Sequence, residues 1–193
     1  MTQRATAVAH PNIALVKYWG KRDAAANLPA TGSLSMTLDV FPTTTTVTVD
    51  DALAADALEL DGIERTGTPL ERVARFLDLV RELSGSAAHA RVVTTNAVPT
   101  GAGLASSASG FAALAVAASA AYGLDLSARD LSRLARRGSG SASRSIVSGV
   151  AVWHADDDDE TSFAEPTPAP DMAMVIATVE EREKPVSSRV AMV

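Results

Sequence analysis

Apolar and polar positions alternate with a two-residue period in two early segments. Ala5 to Ala9 (ATAVA) and Thr44 to Val49 (TTTVTV) are β-branched and alternating, which predicts strands. The period then lengthens. Thr68-Pro69 opens PLERVARFLDLVREL, where Val73, Phe76, Leu77 and Val80 recur at helical spacing and Gly85 follows as a stop. Arg91 to Thr95 reads as a short strand feeding PTGAGLASSASGF, residues 99–111. Ser106 to Tyr122 is a helix of small residues, suited to very close packing against a sheet, and Gly123 ends it. Ser127-Ala-Arg-Asp130 has the form of a capping box for a further helix, with Leu131, Leu134 and Ala135 on one face. Ile146 to Trp153 and Met172 to Val179 read as later strands. Strands and helices mix without strict alternation and no repeat is apparent, so the pattern predicts the α+β class.

Composition narrows what such a chain does. Of 193 residues, 47% are hydrophobic and 21% charged, as in an ordinary globular domain with one substantial core. A net charge of −6 argues against nucleic acid as a partner. The absence of cysteine excludes disulfides, thiolate zinc sites and a cysteine nucleophile. Pro11, Asn12 and Lys17 interrupt the N-terminal apolar stretch, so no export signal is read and a cytoplasmic protein is expected. Val92 to Leu124 carries no charge, but its Gly, Ser and Ala content reads as buried core and not as a membrane span. The acidic stretch ADDDDETSFAEPTPAP, Ala155 to Pro170, reads as a solvated loop, because adjacent carboxylates without a turn glycine rarely converge on a metal.

Three stretches could carry chemistry. In PTGAGLASSASG a strand, a glycine-rich turn and a helix start follow one another. Small residues there let backbone N–H groups and the helix N-terminus approach an anion, and a serine-capped turn is the other reading. Arg137-Gly-Ser-Gly-Ser-Ala-Ser-Arg144 repeats the glycine-serine alternation and ends in an arginine, whose planar fork suits phosphate or carboxylate. A surface ion pair would equally explain Arg144. NIALVKYWGKRD places Lys17, Lys21 and Arg22 beside Tyr18 and Trp19, and the plain alternative is a strand end with both aromatics in the core.

Taken together, NIALVKYWGKRD, NLPATGSLSMTL, PTGAGLASSASG and GSGSASRS resemble, in order and spacing, the diphosphomevalonate decarboxylase family of the GHMP kinase superfamily. The resemblance implies a GHMP-kinase-type N-terminal domain of the α+β class (ribosomal protein S5 domain 2-like) over residues 1–170. Residues 171–193 would begin a C-terminal, ferredoxin-like domain that is largely absent. It also implies ATP- and Mg²⁺-dependent decarboxylation of mevalonate 5-diphosphate to isopentenyl diphosphate, in an enzyme that is a homodimer at full length and acts without nucleic acid or membrane. Carried over by position, Tyr18 and Lys21 would contact the diphosphate, with Ser139, Gly140 and Ser141 holding the same end of the substrate. Arg144 would pair with the carboxylate, and Ser188, Arg189 and Met192 would line the pocket. Gly103, Ala105, Ser106, Ser107 and Ala108 would wrap the ATP phosphates.

The sequence departs from the family pattern in places. Ser143 stands where the family usually has Cys, IVSGVAVW replaces a more usual IYGGFVEW, and Val190-Ala191 replaces a more usual Tyr-Gly. The DAGPN-like motif whose Asp is the family's catalytic carboxylate does not occur in these 193 residues, so no catalytic residue is assigned and the chain reads as a truncated form. Two other functions stay open: a related kinase acting on mevalonate or its phosphate, and a non-catalytic ligand-binding module.

Overall fold

A computed structural model describes residues 3–97 and 106–175. Eleven strands, three α-helices and one 3₁₀ helix are formed among them. The strands are β1 (Gln3–Ala9), β2 (Asn12–Val16), β3 (Lys21–Asp23), β4 (Leu28–Pro29), β5 (Ser33–Thr37), β6 (Thr43–Asp50), β7 (Ala57–Leu60), β8 (Ile63–Arg65), β9 (His89–Asn96), β10 (Val150–Trp153) and β11 (Ala164–Pro166). The helices are α1 (Thr68–Ser84), α2 (Ser106–Ala121) and α3 (Ala128–Gly138), and the 3₁₀ helix is Gly140–Ile146.

The larger sheet has the order β1-β6-β9-β7-β8. Its ladders are antiparallel except β7–β9, which is parallel. Alternation decides which face of β6 is covered: Thr43, Thr45, Val47 and Val49 are buried. Against that face lies α2, crossing β1 and β6. Ala112, Ala113, Ala115, Ala117 and Ala118 are all buried, so the helix backbone sits unusually close to the sheet, as an all-round apolar small-residue helix requires. Phe76, Leu77 and Val80 of α1 complete this core. The α1 helix begins without a side-chain cap, carries Pro in its first turn and ends on Gly85 at φ 68°.

A second sheet, β11-β10-β5-β2, is antiparallel throughout, and β3–β4 form a small separate ladder. The α3 helix and the 3₁₀ helix bridge the two halves, both packing on α2. Ser127 caps α3 by accepting from Asp130 N at 3.2 Å, the first bond of the capping-box pattern, and its hydroxyl donates to Asp130 Oδ2 at 2.6 Å.

The structure alters three sequence expectations. Ile146 to Trp153 is strand only over Val150–Trp153, because the glycine-serine run tightens into the 3₁₀ helix and Gly149 turns the chain at φ 74°. Residues 172–175 form no strand, and residues 176–179 of that predicted element lie outside the described residues. The acidic stretch is not loop throughout: Ala164–Pro166 pairs with β10.

Candidate functional site

The 3₁₀ helix carries Arg144 inward, where it is 2% exposed. Nε and Nη2 donate to Asn12 Oδ1 at 3.3 and 3.2 Å, and Nη1 donates to Ser33 Oγ. Asn12 is itself fixed, its amide donating to Ser141 O at 2.8 Å and Ser145 Oγ at 2.7 Å. No carboxylate pairs with Arg144 among the described residues, so the surface ion pair is not what it makes. Burial without a compensating anion pushes its pKa down to about 10, with the nearby Tyr18 phenol opposing the shift. Among the described residues three of the five guanidinium N–H groups are used, one on Nε and one on each Nη.

Aromatic rings wall this cation. Arg144 Cζ lies 5.9 Å from the Tyr18 ring centroid and 5.6 Å from that of Trp153, and the two rings meet edge-to-face at 4.8 Å. Trp153 is fully buried, Tyr18 is half-buried, and Trp19 is 65% exposed, so the two aromatics of the KYWG stretch do not share a core. Burial raises the Tyr18 pKa and the Arg144 charge lowers it less, so the phenol remains a neutral donor at physiological pH. Gly140 is required here: a Cβ on it would meet Tyr18 Oη at 3.0 Å and the Trp153 ring at 3.2 Å. Ser143 uses its hydroxyl to donate to Gly140 O at 2.8 Å.

The same turn faces the start of α2. Ser139 Oγ lies 3.4 Å from both Ser107 Oγ and Ser141 Oγ, so three hydroxyls line up between the two glycine-serine stretches. Ser106 and Ala108 belong to the first turn of α2, where unpaired N–H groups gather. Gly103 and Ala105 of the other stretch, and Ser188, Arg189 and Met192, lie outside the described residues. Lys21 Nζ donates to Asn27 Oδ1 at 2.8 Å, and Asn27 in turn donates to the last carbonyls of α3, immediately before Ser139. Thus Tyr18, Ser107 and Arg144 are gathered around the turn of Ser139, Gly140 and Ser141, and Lys21 reaches the end of α3 before it through Asn27.

Some contributors escaped the sequence reading. Ser33 and Asn12 belong to short, half-exposed strands with weak patterning, yet they anchor Arg144. Arg72 lies over the Phe111 ring with Cζ 5.1 Å from its centroid, and that ring abuts Gly138, which brings an α1 cation near the turn. Its only signal was a basic residue in the first turns of α1. Asp159 is not simply solvated. Arg133 Nη2 donates to it at 2.6 Å, and Arg136, fully buried, donates to its other carboxylate oxygen. Among the described residues no group of three or more His, Cys, Asp or Glu could hold a metal ion, and no helix is long and apolar enough to cross a membrane.

Fold and site together define an α+β domain in which the glycine-serine turn before Arg144 lies against the start of α2. Residues 9–164 match the family model described as the diphosphomevalonate decarboxylase-like N-terminal domain, and the chain belongs to that family. It is 40% identical over 206 residues to diphosphomevalonate decarboxylase mvd1 of Aspergillus fumigatus, covering 96% of this chain and 51% of that protein. With the Rattus norvegicus diphosphomevalonate decarboxylase it shares 38% identity, covering 97% of this chain and 51% of that one. The crystal structure of mevalonate diphosphate decarboxylase from Staphylococcus aureus superposes with TM-score 0.85 at 49% identity, over 87% of this chain and 51% of that one. A solved complex of MDDEF with MVAPP, AMPPCP and magnesium gives TM-score 0.84 at 54% identity, over 88% and 52% of the two chains. The chain spans about half the length of the curated relatives it matches.

Proposed function

We propose that this chain supplies the nucleotide and substrate site for ATP-dependent decarboxylation of mevalonate 5-diphosphate to isopentenyl diphosphate. The observation that carries the reading is Arg144, a buried guanidinium with no carboxylate partner among the described residues. A buried cation of this kind is costly unless an anion completes it. The substrate's carboxylate is such an anion, and its diphosphate would lie toward Tyr18, Lys21 and the Ser139–Ser141 turn. Residues 1–170 would form the domain that holds both ligands, with residues 171–193 leading into a second.

Phosphoryl transfer needs donor and acceptor side by side. The Ser107 hydroxyl at the start of α2 lies 3.4 Å from that of Ser139 in the neighbouring turn, which supports a reading in which nucleotide and substrate bind side by side. Gly103, Ala105, Ser106, Ser107 and Ala108 would face the triphosphate, in keeping with the small residues of that stretch in the sequence and with the start of α2 at Ser106. ATP with Mg²⁺ would supply the phosphoryl group that turns the substrate's tertiary hydroxyl into a leaving group. Arg144 would meanwhile fix the carboxylate, orienting the bond to be broken, and Tyr18 would donate its O–H to the substrate.

Saturable calorimetric binding of mevalonate 5-diphosphate, and of ATP with magnesium, is expected for the 193-residue chain. Since the sequence lacks the DAGPN-like carboxylate motif, incubation with all three should yield no meaningful isopentenyl diphosphate. Tighter binding of mevalonate 5-phosphate than of the diphosphate would favour the kinase reading. Absence of binding to either phosphorylated mevalonate would overturn the proposal.

A further inference from the structure

Asn27 sits in the turn between β3 and β4 and is 5% exposed. Its φ of 53° is in the left-handed region, which asparagine tolerates better than most residues. Both ends of its side chain are committed. Nδ2 donates to Arg136 O at 3.1 Å and to Arg137 O at 3.0 Å, two carbonyls at the C-terminus of α3 where intrahelical partners run out. Oδ1 accepts from Lys21 Nζ at 2.8 Å. The amide cannot be reversed, since its donors face carbonyls and its oxygen faces an ammonium. The turn is pinned from the other side as well: Arg136 Nε donates to Ala26 O at 3.1 Å. The turn that contains Ser139, Gly140 and Ser141 follows directly on those α3 carbonyls.

We propose that Asn27 is a positioning residue for phosphate binding, holding the Lys21 ammonium in register with the Ser139–Ser141 turn. This rests on the reading that Lys21 contacts the substrate's diphosphate. A lysine stem has many rotamers, and ordering it only on ligand binding weakens affinity. Asn27 orders it beforehand, using the end of α3 as the rigid reference. Only an amide performs both tasks, as a carboxylate could not donate to the carbonyls and a lysine partner could not accept.

The test is a double-mutant cycle on the 193-residue chain, titrated with inorganic pyrophosphate. The variants are Lys21→Ala, Asn27→Gly, which keeps the turn conformation, and the pair. Lys21→Ala should weaken binding about tenfold. Asn27→Gly should weaken it about three- to tenfold, and the pair should bind no worse than Lys21→Ala. Loss of affinity in Lys21→Ala alone, with Asn27→Gly like wild type, overturns the inference and leaves the functional reading standing. Independent, additive losses also overturn it, because they mark a merely structural role. No effect of Lys21→Ala overturns the functional reading instead. A second measurement covers failure of Asn27→Gly to fold. The chain has three lysines, so the Lys21 ammonium is readily assigned by ¹⁵N NMR. It should give an exchange-protected signal in the wild type, and absence of that signal overturns the inference.

Discussion

Gly140 tolerates no side chain without cost to its neighbours. Its absent Cβ leaves room for Tyr18 Oη and the Trp153 ring, which would otherwise stand at 3.0 and 3.2 Å from it. Trp153 is fully buried and cannot withdraw, so Gly140→Ala must displace Tyr18. Overpacking of this size costs about 1–3 kcal/mol, and thermal denaturation should show it. Part of that loss should vanish when Tyr18→Phe removes the hydroxyl, the Trp153 contact remaining. An unchanged Tm in Gly140→Ala would contradict the packing. Ser132 offers a second test: its buried hydroxyl donates to Ser143 O at 3.0 Å and accepts from Ala164 N at 2.8 Å. Ser132→Ala takes away the side-chain acceptor of the Ala164 N–H and should cost about 1–3 kcal/mol by denaturant titration.

At the scale of elements, α3 is a helix whose buried side holds an arginine. Leu134, Ala135 and Arg136 are buried together, and the acidic loop docks on the helix through Asp159. Burial raises the Asp159 pKa, but the Arg133 hydrogen bond and the Arg136, Arg133 and Arg137 charges outweigh it and hold the carboxyl below its ordinary value. The folded chain therefore binds this proton less readily than the unfolded one. The resulting stability is present above the ordinary carboxylate pKa of about 4 and is lost as pH falls through the lower folded value. Urea midpoints from pH 6 to 3 should fall more steeply in the wild type than in Asp159→Asn, and parallel slopes would contradict the account. None of this docking was legible in the sequence, where ADDDDE looks like a solvated run and Arg136 like any basic residue near a helix end. By contrast β1, β6, β9, α1 and α3 were legible from apolar periodicity, and α2 from its run of small apolar residues closed by Gly123. The short strands β2 to β5, β7 and β8 were not, since two to five residues, often half exposed, give periodicity nothing to repeat. For the site, the glycine-serine stretches and Arg144 were visible as local motifs. Asn12, Ser33 and Asn27 were not, because their roles arise from contacts across 100 or more residues, such as Asn12 with Arg144, 132 positions apart, and Asn27 with Arg136, 109 apart.

At the scale of the whole molecule, several large apolar side chains stay in water. Val8 on β1, an edge of the larger sheet, is 57% exposed, Val16 on β2, an edge of the smaller sheet, is 56% exposed, and Trp19 just beyond β2 is 65% exposed. Apolar edge surface of this kind favours association. Light scattering on the 193-residue chain should show a concentration-dependent rise in mass that Val16→Lys with Trp19→Ser reduces, whereas a strictly monomeric wild type would contradict this. In the proposed function Arg144 pairs with the substrate's carboxylate. That pairing is tested most directly by calorimetry of mevalonate 5-diphosphate and of isopentenyl diphosphate, which lacks the carboxylate, on wild type and Arg144→Ala. Removing the partner of a buried charge pair should weaken mevalonate 5-diphosphate by about 2–4 kcal/mol and leave isopentenyl diphosphate nearly unchanged. Equal losses for the two ligands, or no loss for either, would contradict the account.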